Sequence, residues 1–156
     1  MPSGRQKANK SPEATLQVHF DLEESRDLHI VYSDDGRGLS LEDIRKKAVE
    51  RGLVDTWASQ KMPAKDAANL IFEPGFSTRE VVSEISGRGV GLDAVRSFMT
   101  ELDAEVWIET HDGISGDGFT PFSVHLRIPA KWVVLPKFSQ EAEGPTPLTL
   151  SMMDCM

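Results

Sequence analysis

A single cysteine, Cys155, stands in this chain of 156 residues. Its isolation excludes an internal disulfide and a cysteine-built zinc site, and it is compatible with a reducing compartment. Basic charge is also short, with 17 Lys and Arg against 25 Asp and Glu for a net charge of −8. That balance argues against a nucleic-acid partner, which calls for a basic face, and leaves any phosphate contact to individual lysines or arginines. No apolar run approaches the roughly 20 residues of a membrane-spanning helix, and residues 1–7 lack the apolar segment of a signal peptide. These absences predict a cytoplasmic protein without membrane insertion. No internal repeat is visible. With 39% apolar residues over this length, the chain has material for one core and too little for two.

The pattern along the chain predicts an α+β order. Residues 1–13 are polar, basic and broken by Pro2, Gly4 and Pro12, which reads as a flexible leader. Leu16, Val18 and Phe20 then share one face of a strand, and Leu28, Ile30 and Tyr32 one face of the next, so an antiparallel hairpin is expected. Ser40 followed by Asp43 is a capping signal, Leu41, Ile44 and Ala48 recur at helical spacing, and Gly52 closes a helix over about 41–51. A short helix is expected over about 64–71, after Pro63, and a long ordered loop over 73–89. Leu92, Val95, Met99 and Leu102 mark a further amphipathic helix, and Val106, Ile108, Val124, Leu126 and Ile128 mark two more strands. Helices stacked on one face of a sheet of about four strands follow from this order. The domain spans 14–130. The tail, 131–156, has apolar residues able to dock, Trp132, Val133, Val134 and Leu135, among helix-breaking prolines.

Three strings carry the chemistry. Asp34-Asp35-Gly36-Arg37-Gly38 falls at a strand exit, where glycines permit a sharp turn beside a flat ligand and a carboxylate can accept from an exocyclic amine such as that of adenine. Taken alone, such a string is more often an ordinary turn. Gly87-Arg88-Gly89-Val90-Gly91-Leu92-Asp93 runs into a helix start, where backbone N–H groups can face an anion. It has neither the Lys-Ser/Thr pair of a Walker loop nor the dinucleotide spacing. Between them lies Phe72-Glu73-Pro74-Gly75-Phe76-Ser77-Thr78. Their order and spacing, taken together, point to a nucleotide. Lys47, Arg88 and Arg79 are the cations considered for its phosphates, with a solvated role favoured for Arg79. His19, His29 and His125 fall on the polar parity of their strands and His111 beside a turn, and all four are expected to be solvated rather than metal ligands.

These three strings, with Ile44-Arg45-Lys46-Lys47-Ala48 and Gly52-Leu53, closely resemble the ATP-binding catalytic domain of the CheA-type chemotaxis histidine kinases, a branch of the GHKL ATPase superfamily. The resemblance covers about residues 14–130. It implies a Bergerat-type two-layer α/β sandwich, with helices on one face of a mixed, mainly antiparallel sheet. It implies ATP as ligand, with Asp34 bonding adenine, Gly36 and Gly38 supporting it, residues 72–78 leading into an ATP lid through Phe76, Ser77 and Thr78, and Gly87, Arg88, Gly89, Val90 and Gly91 shaping the phosphate end. The activity implied is transfer of the ATP γ-phosphoryl group to histidine in two-component signalling. Implied partners are a phosphoacceptor-histidine domain, a response regulator and a coupling protein. In this family Mg²⁺ is held by an Asn on an upstream helix, the N box. This sequence begins beyond that helix, and Asn9, in the leader, is not assigned its role. No catalytic or metal residue is assigned, and the chain alone is expected to be inactive as a kinase. The alternative is a noncatalytic nucleotide-binding or interaction module derived from such a kinase.

Overall fold

The computed structural model describes residues 5, 10–76, 91–111 and 118–134. The predicted hairpin forms from β1 (Leu16–Leu22) and β2 (Leu28–Asp34), paired from Leu16 opposite Asp34 to Leu22 opposite Leu28. Three helices follow, α1 (Leu41–Glu50), α2 (Thr56–Lys61) and α3 (Ala64–Asn69), the last running into a 3₁₀ turn at Leu70–Phe72. Beyond them come α4 (Leu92–Glu101), β3 (Glu105–Thr110) and β4 (Phe122–Ile128). The sheet order is β1-β2-β4-β3, and every described pairing is antiparallel. The α+β sandwich expected from the sequence is present, with helices packed on a mainly antiparallel four-stranded sheet.

Local chemistry sets the ends of α1. The Ser40 hydroxyl accepts from the Asp43 N–H at 3.2 Å, and Glu42 and Asp43 place negative charge in the first turn, where the helix dipole favours it. At the other end Gly52 takes φ 70°, so that its N–H reaches the Val49 carbonyl and the Leu53 N–H reaches that of Ala48, a Schellman closure. Helix α2 did not show in the hydrophobic pattern because six residues are too few for a stripe. Its one signal was Asp55, whose side chain accepts from the Ala58 N–H at 2.8 Å.

The core lies between the helices and the β3 side of the sheet. Ile44 and Ala48 of α1, Ala68 of α3, Ile71, Phe72, Phe76 and Ile108 of β3 form one buried cluster, flanked by Leu39, Val106, Phe122 and Val124. Helices α3 and α4 both pack against β3. Asn69, the last residue of α3, reinforces this contact. Its amide nitrogen donates to the Ile108 carbonyl at 3.0 Å and its oxygen accepts from the Ile108 N–H at 2.8 Å. β3 is an edge strand, so one side chain satisfies two backbone groups that an edge leaves open. The start of the tail is also fixed, since the Trp132 indole donates to the Leu102 carbonyl at 2.8 Å and the Ala130 N–H to Asp27 at 2.9 Å.

Candidate functional site

Asp34 ends β2 with its side chain exposed, at the exit predicted for it. Its Oδ1 accepts from the Gly36 N–H at 2.6 Å, which folds the turn and leaves the other carboxylate oxygen for a ligand. A Cβ added at Gly36 would lie 2.3 Å from that oxygen, so no larger residue fits there without moving the carboxylate. Gly38 takes φ 86°, and a Cβ on it would meet the Thr120 carbonyl at 2.5 Å. The backbone of the turn can therefore lie against the chain entering β4, and Leu39 and Thr120 exchange N–H···O bonds of 2.9 and 2.8 Å there. Thr120 was not singled out in the sequence. Among the described residues beside it, Gly118 takes a left-handed φ of 77°.

Behind the turn, Asp35 is held by the segment read as a flexible leader. The Arg5 guanidinium donates to both carboxylate oxygens of Asp35, at 2.9 and 2.8 Å, and Lys10 donates to the carbonyls of Asp35 and Gly36 at 3.0 and 2.6 Å. The Asp35 carboxyl sits far below its ordinary range, first because of Arg5 and then because of the Thr15 N–H. Composition alone could not show this, because a basic, Pro-bounded stretch looks the same whether it is solvated or paired.

Lys47 lies half-buried in the last turn of α1, and its ammonium pairs with none of the described residues. One helical turn further on, Arg51 donates to the Gly75 carbonyl and lies over the Phe76 ring, 5.9 Å from its centroid. Residues 47 and 51 lie four apart, so Lys47 and the C-cap Arg51 fall on one side of α1. Phe76 is buried in the core, where it anchors that segment. Ser77, Thr78, Arg79, Gly87, Arg88, Gly89 and Val90 lie outside the described residues. Gly91 opens α4 as its N-cap. Asp93, two residues on, accepts from the Gly75 N–H at 3.1 Å and the Ala94 N–H at 2.9 Å, and both bonds hold its carboxyl below the ordinary range. Arg96 pairs with Glu73 at 3.0 Å, so two contacts join the segment around Gly75 to the first turns of α4.

The histidines divide. His19 is exposed on β1 and His111 follows β3, also exposed. His29 and His125, expected to be solvated, instead meet on the face of the sheet opposite the helices. They share a hydrogen bond of 3.0 Å, and Trp107 stacks on both with centroids 5.5 and 5.1 Å away. The correction has a simple cause. The face that carries polar residues in the pattern is partly covered by its own aromatic rings, which alternation cannot register. Burial lowers the His125 pKa, partly offset by the Glu109 charge.

Residues 5–130 match the family of histidine kinase-, DNA gyrase B- and HSP90-like ATPases, and the chain belongs to that family. Within it, the chain is an ATP-binding domain of the CheA type. It is 39% identical over 119 residues to the chemotaxis protein CheA of Halobacterium salinarum, covering 76% of this chain and 18% of that protein. Over 110 residues it is 38% identical to the sensor histidine kinase CheAY of Helicobacter pylori, covering 70% of this chain and 14% of that protein. The gliding motility regulatory protein of Myxococcus xanthus is 36% identical over 112 residues, 72% of this chain and 14% of that protein. The chain thus spans less than a fifth of the length of these three relatives. None of the described helices is long and apolar enough to cross a membrane.

Proposed function

We propose that this domain binds the adenine of ATP at the turn after β2 and presents the γ-phosphoryl group for transfer to a histidine on another domain. The observation that carries the reading is the Asp34 carboxylate, held by the Gly36 N–H at a glycine turn that packs on Thr120. The donor set fits the ligand: a carboxylate with one oxygen already bonded offers the other to an exocyclic amine, and the missing side chains leave the turn open to a flat ring. Lys47 would meet the phosphates from α1, and Ser77, Thr78, Gly87, Arg88, Gly89, Val90 and Gly91 would surround them. ATP would supply the phosphoryl group. The protein would contribute positioning and charge neutralisation, which dominate phosphoryl transfer. Magnesium is expected with ATP. Its family ligand is assigned to no residue of this sequence, and among the described residues no three carboxylate, histidine or cysteine side chains gather around a cation site. A phosphoacceptor-histidine domain, a response regulator and a coupling protein are the partners this reading entails, in a cytoplasmic two-component chemotaxis pathway.

The Asp34→Asn exchange tests the adenine contact. It removes a charge-assisted bond worth about 1.5–3 kcal/mol, so ADP affinity by calorimetric titration should fall roughly ten- to a hundredfold with the circular dichroism spectrum unchanged. Equal affinity in the two proteins would remove Asp34 from the site. Transfer is tested separately, by acid-labile label from γ-labelled ATP on an added phosphoacceptor domain together with a family-type N-box helix. ADP binding without any such label would favour the noncatalytic module.

A further inference from the structure

We infer that Arg5 is a positioning residue for the adenine turn, fixing the Asp34 carboxylate from behind through Asp35. The inference rests on the nucleotide reading of Asp34. Arg5 and Asp35 are thirty residues apart in sequence, yet the guanidinium grips the carboxylate with two parallel bonds of 2.9 and 2.8 Å. The remaining guanidinium donors are also used, with Nε on the Ser11 carbonyl and Nη2 on that of Glu13, both at 2.7 Å. The Arg5 side chain is only 20% exposed. A surface arginine seeking any nearby charge does not satisfy its whole fork in this way, whereas one that fixes backbone geometry does.

What is fixed is the peptide that aims the ligand-facing group. Asp35 is tied to the start of β1 by its own N–H to the Thr15 carbonyl at 3.1 Å and by the Thr15 N–H to its Oδ1 at 3.0 Å. Lys10 holds the Asp35 and Gly36 carbonyls from the same side. With those carbonyls held, the Gly36 N–H points at Asp34 Oδ1, the 2.6 Å bond that orients the carboxylate. Loosening Arg5 frees the peptides of residues 35 and 36 to rotate, and the Asp34 carboxylate then samples orientations that miss the adenine amine. Misplacement of this size is costly because a directed hydrogen bond weakens steeply with angle.

The test is a double-mutant cycle on the full chain, with ADP followed by calorimetry and adenosine by NMR titration. Arg5→Ala should weaken both ligands by the same factor, about tenfold, because the defect lies at the base and not at the phosphates. Arg5→Lys, which keeps the charge but not the fork, should recover only part of the loss. In the Asp34→Asn background, Arg5→Ala should cost less than about twofold, since the group it positions no longer makes its bond. A purely structural role would lower the melting temperature and leave the two losses multiplicative. Independent, multiplicative losses, or ADP affinity within about twofold of the parent in Arg5→Ala while Asp34→Asn weakens it, would overturn the inference. Should Arg5→Ala not fold, Asp35→Asn removes the same ion pair and is read against the same outcomes. Unchanged ADP affinity in Asp34→Asn would remove Asp34 from the site, and the inference with it.

Discussion

On β3, Ile108 has 0% exposure under α3 and α4, whereas Phe20, on the same face of the sheet three strands away, has 57%. The register makes the comparison a fair one. Phe20 pairs with Ile30, Ile30 with Leu126 and Leu126 with Val106, so one continuous apolar face runs from β1 to β3. Leu22 is also exposed on the β1 side, and Leu92, Val95 and Phe98 on α4, while α3 and α4 pack against β3. Alternation thus reports that a strand has an apolar face. Whether that face is buried depends on what lies above it.

The two sides should respond unequally to substitution, and the largest effect belongs to the covered one. Ile108→Ala should cost about 2–5 kcal/mol in urea denaturation, because it removes transfer energy and leaves a cavity that the surrounding helices cannot fill. A loss below about 1 kcal/mol would show that the β3 side is no better packed than the β1 side.

Next comes the clasp between α3 and the edge strand. Asn69→Ala leaves the Ile108 N–H and carbonyl without their partner, an expected cost of about 2 kcal/mol, and amide exchange at Ile108 should accelerate by more than global unfolding explains. Exchange no faster than the global rate would remove Asn69 from the packing of β3.

A smaller effect is expected on the outer face. Burial holds the His125 pKa below its unfolded value near 6.5, so the unfolded chain binds more protons in that range. Stability contributed by neutral His125 is present above about pH 6.5 and is lost as the pH falls from there toward the folded pKa. Denaturation midpoints of the parent should fall from pH 7 to pH 5 more steeply than those of His125→Gln. Parallel curves would contradict the burial assigned to this ring.

The smallest effect should come from Phe20→Ser on the β1 side, below about 1 kcal/mol, since the change removes a cross-strand contact with Ile30 but no core packing. A loss matching that of Ile108→Ala would mean that Phe20 is covered in solution.

Much of this fold was legible because it is written in short-range chemistry. Ser40 and Asp43, Gly52, and the alternating residues of all four strands act within a few positions of themselves, and each element formed where they placed it. The turn at Asp34 was legible for the same reason, since its bond to Gly36 spans two residues. The contacts that were missed are long-range: Arg5 with Asp35, Asn69 with Ile108, Gly38 against Thr120, and His29 with His125. Each joins residues tens of positions apart, and no local period or composition carries that distance. By itself, then, the sequence determined where strands, helices and the glycine turn would form, because backbone conformation follows from neighbouring side chains. Only the tertiary structure decided which side of the apolar sheet is covered, that a basic leader residue grips the turn, and that two histidines of polar parity stack on a tryptophan, because burial and ion pairing depend on which distant segments the fold brings together.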